Sequence, residues 1–258
     1  MFFAWLDLGY PNAIIDDPIP GYLQVCIDTF IKYNNDDFNI VVINRDNIKD
    51  YIKAPLHPAF NYLLPAHRAD YLRAAVLREN GGCYFDVDAI CTRPFIDIYE
   101  KSLERFELSG YCGKQWGEVI GMSAMHAREN SNIVNQWYSE MIQVLDDHKE
   151  KILETRSDTI GWTGMLRNVL LPISRKHESR VGCGYNVYVP NSRKVWKSRK
   201  KVPVYREKCM KILRDETYPI WILNNHFYGN KIRHISRESI LSDKNDRVLF
   251  EVLRGVIV

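Results

Sequence analysis

The sequence lacks several features that mark whole classes of protein. None of its apolar runs approaches the roughly 20 residues that a membrane-spanning helix needs. Its first residues, MFFAWLDLGYPNAIIDD, have neither a basic start nor a small-residue cleavage site, so we expect no signal peptide. A net charge of +3 is too small to indicate a nucleic acid partner. The chain also has no internal repeat and no low-complexity segment.

The six cysteines contain no C-x-x-C pair, which argues against a zinc site. They are scattered at positions 26, 83, 91, 112, 183 and 209, and several fall in apolar segments typical of strands. The sequence therefore predicts buried free thiols rather than disulfides. Such thiols fit a reducing compartment, so we expect a cytoplasmic protein.

The pattern of apolar residues predicts an α/β fold. With 258 residues the chain can form one large domain, or one domain with an appended subdomain. Residues 2–6 and 39–43 are short apolar runs expected of buried strands, and a helical pattern of apolar residues lies between them. This alternation predicts a Rossmann-like, mostly parallel sheet flanked by helices. Residues 106–112, 119–125, 185–189 and 220–223 predict further strands, and 130–148 and 158–171 predict helices.

The segment RADYLRAAVLRENGGCYFDVDAI, from position 68, predicts a helix that Gly81 and Gly82 end, followed by a strand that ends at Asp88. Side chains alternate along a strand, so Asp86 and Asp88 would project together at its carboxyl end. Ligands of open α/β sheets bind at that end. Two adjacent carboxylates repel each other unless a cation lies between them. The pair therefore indicates a Mn²⁺ or Mg²⁺ site that also holds a diphosphate. The alternative is a solvated turn carrying two acids.

Asp70 and Arg73 are three residues apart, so they are neighbours on the predicted helix. Arg73 lies at the edge of the apolar stripe, where a partly buried guanidinium needs a carboxylate partner. Asp70 is in reach. Two interpretations are open: a structural ion pair, or a site in which Asp70 binds a sugar hydroxyl while Arg73 orients Asp70 or a phosphate.

The order A-D-x-x-R-x-x-x-L-x-x-x-G-G-x-Y-x-D-x-D, here residues 69–88, resembles the signature of DXD-containing glycosyltransferases of the GT-A fold. The first half of the chain is similar to bacterial capsular polysaccharide synthesis proteins, on the stretches FFAWLD, CIDTFIKYN and IVVINRDNI. The resemblance implies one GT-A-like domain over residues 1–258. Residues 1–95 would bind the nucleotide sugar, and 96–258, with additional C-terminal helices and strands, would form the acceptor side.

The resemblance also implies roles for individual residues. Asp86 and Asp88 would contact the metal, ribose or diphosphate, and Asp70 and Arg73 the donor sugar, with Asp70, Arg73 and Asp88 as the catalytic residues. Gly81, Gly82, Trp5, Thr163, Gly164 and His226 would complete the substrate site. Trp5 would lie near the base, and His226 would be a third metal or phosphate contact. The stretches W-T-G-M at 162–165 and N-H-F-Y-G-N at 225–230 match the family only loosely, because a proline and a Ser-Trp pair are missing.

The implied activity is transfer of a sugar from a nucleotide diphosphate sugar, with a UDP-sugar favoured, to a glycan or lipid-linked acceptor in surface polysaccharide biosynthesis. Retention of the anomeric configuration is expected from the resemblance alone. One alternative is a phosphatase or phosphotransferase with Asp86 as nucleophile. Another is a non-catalytic glycan-binding protein on the same fold.

The segment 193–214 holds ten basic residues and one acid. It is either a solvated surface or a docking segment for an anionic membrane or acceptor. Docking would make the protein peripheral on the inner membrane face.

Overall fold

The computed structural model describes residues 1–4, 19–111, 120–155, 160–161, 164–165, 167–189, 202–215, 217–223, 234–242 and 248–257. The chain divides into two compact units, and each is assembled from three separate stretches. Unit 1 comprises Met1–Ile15, Val41–Phe85 and Ile98–Gly184, whereas unit 2 comprises Asp16–Ile40, Asp86–Asp97 and Tyr185–Val258. Each unit thus takes residues from before and after position 95.

The described residues form strands and helices in alternation over the first half of the chain. The strands are β1 (Phe2–Ala4), β2 (Val41–Ile43), β3 (Gly82–Phe85), β4 (Ala89–Cys91), β5 (Leu108–Tyr111), β6 (Gly121–Ala127), β7 (Val181–Tyr185), β8 (Val187–Tyr188) and β9 (Ile220–Ile222). The helices are α1 (Gly21–Asn34), α2 (Ile48–Tyr51), α3 (Pro65–Asn80), α4 (Ile96–Arg105), α5 (Asn132–Asp147), α6 (Lys149–Thr155), α7 (Arg167–Lys176), α8 (Val202–Leu213), α9 (Arg237–Leu241) and α10 (Val248–Ile257). A short 3₁₀ turn, Phe60–Tyr62, precedes α3.

Unit 1 is built on a six-stranded sheet of order β2-β1-β3-β6-β5-β7. Strand β1 runs parallel to both β2 and β3, and β6 runs antiparallel to both of its neighbours. Helices α3 and α5 pack against each other beside this sheet. Their apolar faces bury Leu72, Val76, Trp137 and Met141 almost completely. The predicted α/β fold class is therefore confirmed, with the parallel pairing concentrated at β2-β1-β3.

Unit 2 is built on a three-stranded sheet of order β4-β9-β8, in which β4 is an edge strand. Strand β9 runs antiparallel to β4 and parallel to β8. Helix α1 packs on β4 and also contacts α9 and α10. The ammonium of Lys32 donates 2.9 Å hydrogen bonds to the carbonyls of Val256 and Ile257, so it neutralises the negative end of α10.

Three expectations from the sequence are wrong. The helix predicted over 158–171 begins only at Arg167, after a turn at Gly164 and Met165. The strand predicted to run to Asp88 ends at Phe85, because the backbone turns at 86–88 before β4 begins. The cysteines are not all free: Cys26, Cys83, Cys91 and Cys209 are buried thiols, but Cys183 is disulfide-bonded. Cys183 lies exposed on β7, so the prediction of buried thiols fails there.

No helix in the described part of the chain is both long and apolar enough to span a bilayer.

Candidate functional site

The double glycine ends α3 as the sequence predicts. Gly81 caps the helix with φ 61° and ψ −148°, a conformation that costs a residue with a side chain far more than glycine. Its N–H donates to the Leu77 carbonyl at 3.0 Å. A Cβ at Gly81 would stand 2.6 Å from the backbone nitrogen of Glu129, and Gly82 also has a positive φ of 78°. The glycines therefore allow a sharp turn directly into β3.

Asp86 and Asp88 lie on a turn rather than on a strand. The Ala89 N–H donates to the Asp86 carbonyl at 2.9 Å, which closes a four-residue β-turn between β3 and β4. The alternation of side chains along a strand therefore does not apply to this pair. Asp86 is half-buried, and Asp88 is only 6% exposed. The chain thus holds two carboxylates on one short turn, immediately after a strand of the parallel part of the sheet.

Within unit 2, the backbone of Asp88 is fixed by a hydrogen bond, and its carboxylate lies close to α1. Its carbonyl accepts a 3.3 Å hydrogen bond from the Leu223 N–H, which follows β9. Burial raises the pKa of the Cys26 thiol well above its usual value, and the charge of Asp88 raises it further. The Asp88 carboxylate is therefore within electrostatic range of the first half of α1.

The donor set of this turn suits a hard divalent cation. Carboxylate oxygens are the ligands that Mg²⁺ and Mn²⁺ prefer, and one or two of them suffice when water and phosphate complete the coordination. Among the described residues, no group of three or more His, Cys, Asp and Glu side chains is arranged to hold a metal ion. A cation at Asp86 and Asp88 would therefore draw its other ligands from a substrate, from water or from outside these residues.

In unit 1, Asp70 and Arg73 form the ion pair that their spacing predicts. Arg73 Nη1 donates to Asp70 Oδ1 at 3.0 Å, and the two side chains are 4% and 9% exposed. The guanidinium carbon also lies 4.9 Å from the ring centroid of Tyr84 on β3. The ring face attracts the cation, and the charged hydrogen bond holds the Asp70 carboxylate against the guanidinium.

His67 is a buried polar residue that the sequence interpretation missed. It lies on α3, three residues before Asp70, and its Nε2 donates to the Gly161 carbonyl at 2.9 Å. The Gly164 N–H donates to the same carbonyl at 3.2 Å. A Cβ at Gly164 would stand 2.0 Å from the Ile160 carbonyl oxygen, so only glycine fits. His67 thus fastens the stretch containing the predicted substrate residue Gly164 to α3. The regular spacing of three residues between His67, Asp70 and Arg73 is the sequence pattern that could have identified His67.

The remaining predicted site residues, Trp5, Thr163 and His226, lie outside the described residues. So does most of the basic segment. Its described part belongs to α8 and the residue after it, where Lys208, Lys211 and Arg214 are exposed.

The family comparison agrees with the motif. Residues 20–105, a third of the chain, match the family model described as the glycosyltransferase sugar-binding region containing DXD motif. The matched range runs from α1 through α3 and the aspartate turn to the end of α4. The predicted resemblance is therefore confirmed for this part of the chain: residues 20–105 are similar to glycosyltransferase sugar-binding regions of the DXD type.

Similar proteins and solved structures are also named as glycosyltransferases. An uncharacterized glycosyltransferase of Acanthamoeba polyphaga mimivirus is 28% identical over 87 residues, which are 32% of this chain and 34% of the relative. The chain thus matches about a third of the length of that relative. Among solved structures, GlyE of Streptococcus pneumoniae has 15% identity and a TM-score of 0.43, covering 98% of this chain and 61% of GlyE. The galactosyltransferase LgtC has 12% identity and a TM-score of 0.43, covering 100% and 96%. Scores below 0.5 do not establish a shared fold.

Proposed function

We propose that this protein transfers a sugar from a nucleotide diphosphate sugar to an acceptor hydroxyl, with the donor bound through a divalent cation. The observation that carries the proposal is the aspartate turn. Asp86 and Asp88 lie in the part of the chain that matches the glycosyltransferase sugar-binding region, on a turn that directly follows the parallel strand β3. A GT-A arrangement of the whole chain, as one domain, is part of this proposal.

The turn would hold Mn²⁺ or Mg²⁺ through its two carboxylates. When bound, the cation would supply positive charge against the negative charge that grows on the leaving diphosphate. Asp88 is the stronger candidate ligand, because it is the more buried carboxylate and its backbone is fixed to the residue after β9. Binding a cation relieves the cost of keeping two like charges on one turn.

Asp70 would accept a hydrogen bond from a hydroxyl of the donor sugar, and Arg73 would orient Asp70. Of the two roles that the sequence leaves open for Arg73, orienting Asp70 is favoured, because the guanidinium is buried against Tyr84 and bonded to Oδ1 of Asp70. Gly81 and Gly82 would shape the turn from α3 into β3 rather than bind substrate through side chains. Gly164 would belong to the acceptor side, with Thr163, and Trp5 and His226 would contact the nucleotide and the metal or diphosphate.

The acceptor would be a glycan or a lipid-linked sugar of surface polysaccharide biosynthesis, with retention of the anomeric configuration. Both statements rest on the resemblance. The basic segment 193–214 would dock this acceptor or an anionic membrane surface, and the exposed cations Lys208, Lys211 and Arg214 are consistent with that role. Location in the cytoplasm, peripheral on the inner membrane face, stays a prediction. The disulfide at Cys183 favours an oxidising compartment instead.

The most direct test is a thermal-shift panel of UDP-, GDP-, CMP- and dTDP-sugars with and without MnCl₂. A ligand that binds only the folded state raises its melting temperature. We expect one donor class to raise it in a Mn²⁺-dependent manner, and Asp88→Asn to abolish that shift while the unliganded protein stays folded. NMR of the glycosidic product would then give the anomeric configuration.

Other outcomes distinguish the alternatives. A covalent phosphate trapped on Asp86 would favour the phosphatase, and Mn²⁺-dependent nucleotide binding without turnover on any acceptor would favour the non-catalytic protein. If no nucleotide sugar shifts the melting temperature with Mn²⁺, the proposed function is wrong.

A further inference from the structure

Helix α1 buries two polar side chains against the segment that follows the aspartate turn. Thr29 is fully buried, and its Oγ1 accepts a 2.8 Å hydrogen bond from the Cys91 N–H. The same hydroxyl donates to the Cys26 carbonyl at 2.6 Å, so its orientation is fixed from both sides. A threonine on the apolar side of a helix is therefore bonded to a backbone group 62 residues away.

Asn34, the last residue of α1, makes a second attachment to the same segment. Its Oδ1 accepts a 2.7 Å hydrogen bond from the Phe95 N–H, and its Nδ2 donates to the Phe30 carbonyl at 3.1 Å and to Cys91 Sγ at 3.3 Å. Asn34 is 1% exposed. Thr29 and Asn34 thus fix both ends of the stretch Cys91–Phe95.

These attachments matter because β4 is an edge strand. On one side Ala89, Ile90 and Cys91 pair with β9. On the other side no described strand adds a backbone ladder, so the outward N–H of Cys91 depends on the Thr29 hydroxyl. The aspartate turn closes on the first residue of β4, since the Ala89 N–H bonds the Asp86 carbonyl. The position of β4 therefore sets the position of the Asp88 backbone.

We propose that Thr29 and Asn34 are positioning residues of the aspartate turn: by holding β4, they set where the Asp88 carboxylate stands and so how tightly the turn binds a divalent cation. The inference rests on the proposed function, because it assumes that the turn holds a metal. Outer groups that hold metal ligands in place typically change metal affinity by about 10–100-fold when removed.

The test compares Thr29→Val, which keeps the shape and removes the hydroxyl, with Thr29→Ser, which keeps the hydroxyl. Mn²⁺ binding in the presence of UDP is measured directly, from the EPR signal of free Mn²⁺. We expect Thr29→Val to raise the Mn²⁺ Kd about 10-fold and Thr29→Ser to stay within about threefold of the wild type. Ser174→Ala is the matched control, because it removes a buried hydroxyl bonded to a helix carbonyl, that of Leu170, in unit 1.

The outcomes separate the two proposals. Absence of Mn²⁺ binding by the wild type in the presence of each of UDP, GDP and dTDP would overturn the proposed metal site itself. Binding by the wild type with an unchanged Kd in Thr29→Val, or an equal rise in Ser174→Ala, would overturn the positioning role alone. If Thr29→Val does not fold, Asn34→Ser gives the same test. A raised Mn²⁺ Kd in that variant supports the inference, and a wild-type Kd contradicts it.

Discussion

Arg73 and Asp70 form a buried ion pair on consecutive turns of α3, joined by a 3.0 Å hydrogen bond and covered by the ring of Tyr84. The pair contributes to folding and, as proposed, to donor binding. Mutations can separate the contribution to folding from the contribution to donor binding. Removing one partner should destabilise the fold more than removing both, whereas either change should weaken donor binding.

We expect Arg73→Met to destabilise the protein by about 3–5 kcal/mol, because it leaves the Asp70 carboxylate buried without the guanidinium that faces it. The double variant Asp70→Leu with Arg73→Met should regain most of this stability but should still lose the donor-dependent thermal shift. Urea unfolding and the shift assay measure the two effects. Arg237→Met is the control, since its pair with Asp28 is 40% and 25% exposed and should contribute less than about 1 kcal/mol. A donor shift of wild-type size in the double variant would contradict the binding role.

The two glycines after α3 should differ in their tolerance of a methyl group. Gly82→Ala should cost about 1–2 kcal/mol, because only its positive φ is strained and its Cβ would stand 3.6 Å from the nearest side-chain atom. Gly81→Ala should cost clearly more, because its Cβ would also stand 2.6 Å from the Glu129 nitrogen. Chemical denaturation of both variants measures the difference. Equal losses would mean that backbone strain alone, and not contact with Glu129, selects glycine at 81.

His126 should dominate the loss of stability in mild acid. Burial lowers the pKa of this histidine from 6.5 to about 3. Below pH 6.5 the unfolded chain therefore binds a proton at this histidine, whereas the folded state does not bind it until the pH approaches 3. The free energy of unfolding consequently decreases as the pH falls from 6.5 towards 3. The loss between pH 7 and pH 5 should be about 2 kcal/mol. His126→Gln should flatten this slope in urea unfolding. An unchanged slope in His126→Gln would show that other groups govern it.

The hydrogen bond from His67 to Gly161 should restrain the chain around 160–165. His67→Ala should speed amide hydrogen exchange in a peptide covering these residues by roughly fivefold, the effect of one hydrogen bond of about 1 kcal/mol. His148→Ala is the matched control, because it removes a 2.9 Å histidine bond to the Val144 carbonyl on α5. Exchange that accelerates equally in both variants would indicate general loosening of unit 1 instead of loss of this attachment.

The disulfide at Cys183 can be tested on denatured, non-reduced protein. Alkylation followed by mass spectrometry should label Cys26, Cys83, Cys91 and Cys209 and leave Cys183 unlabelled until a reductant is added. Labelling of Cys183 in protein purified from its natural host would show a reduced thiol there and would support the predicted reducing compartment.

Local physical rules explain why parts of the site follow from the sequence. The end of α3 at Gly81 requires a conformation that only glycine adopts cheaply, and the pairing of Asp70 with Arg73 follows from their separation of three on one helix. The apolar runs likewise determined the α/β class. Each of these depends on residues a few positions apart, where backbone geometry alone decides which groups meet.

The turn at 86–88 and its supports were decided by tertiary structure. Asp88 leaves the strand geometry because β4 pairs with β9, more than 120 residues further along the chain, and because Thr29 and Asn34 hold the segment after it. The attachment of Gly161 to His67 spans 94 positions. Hydrogen bonds between such distant groups leave no periodic pattern in the sequence, because a backbone donor can be satisfied by any polar side chain that the fold brings near it.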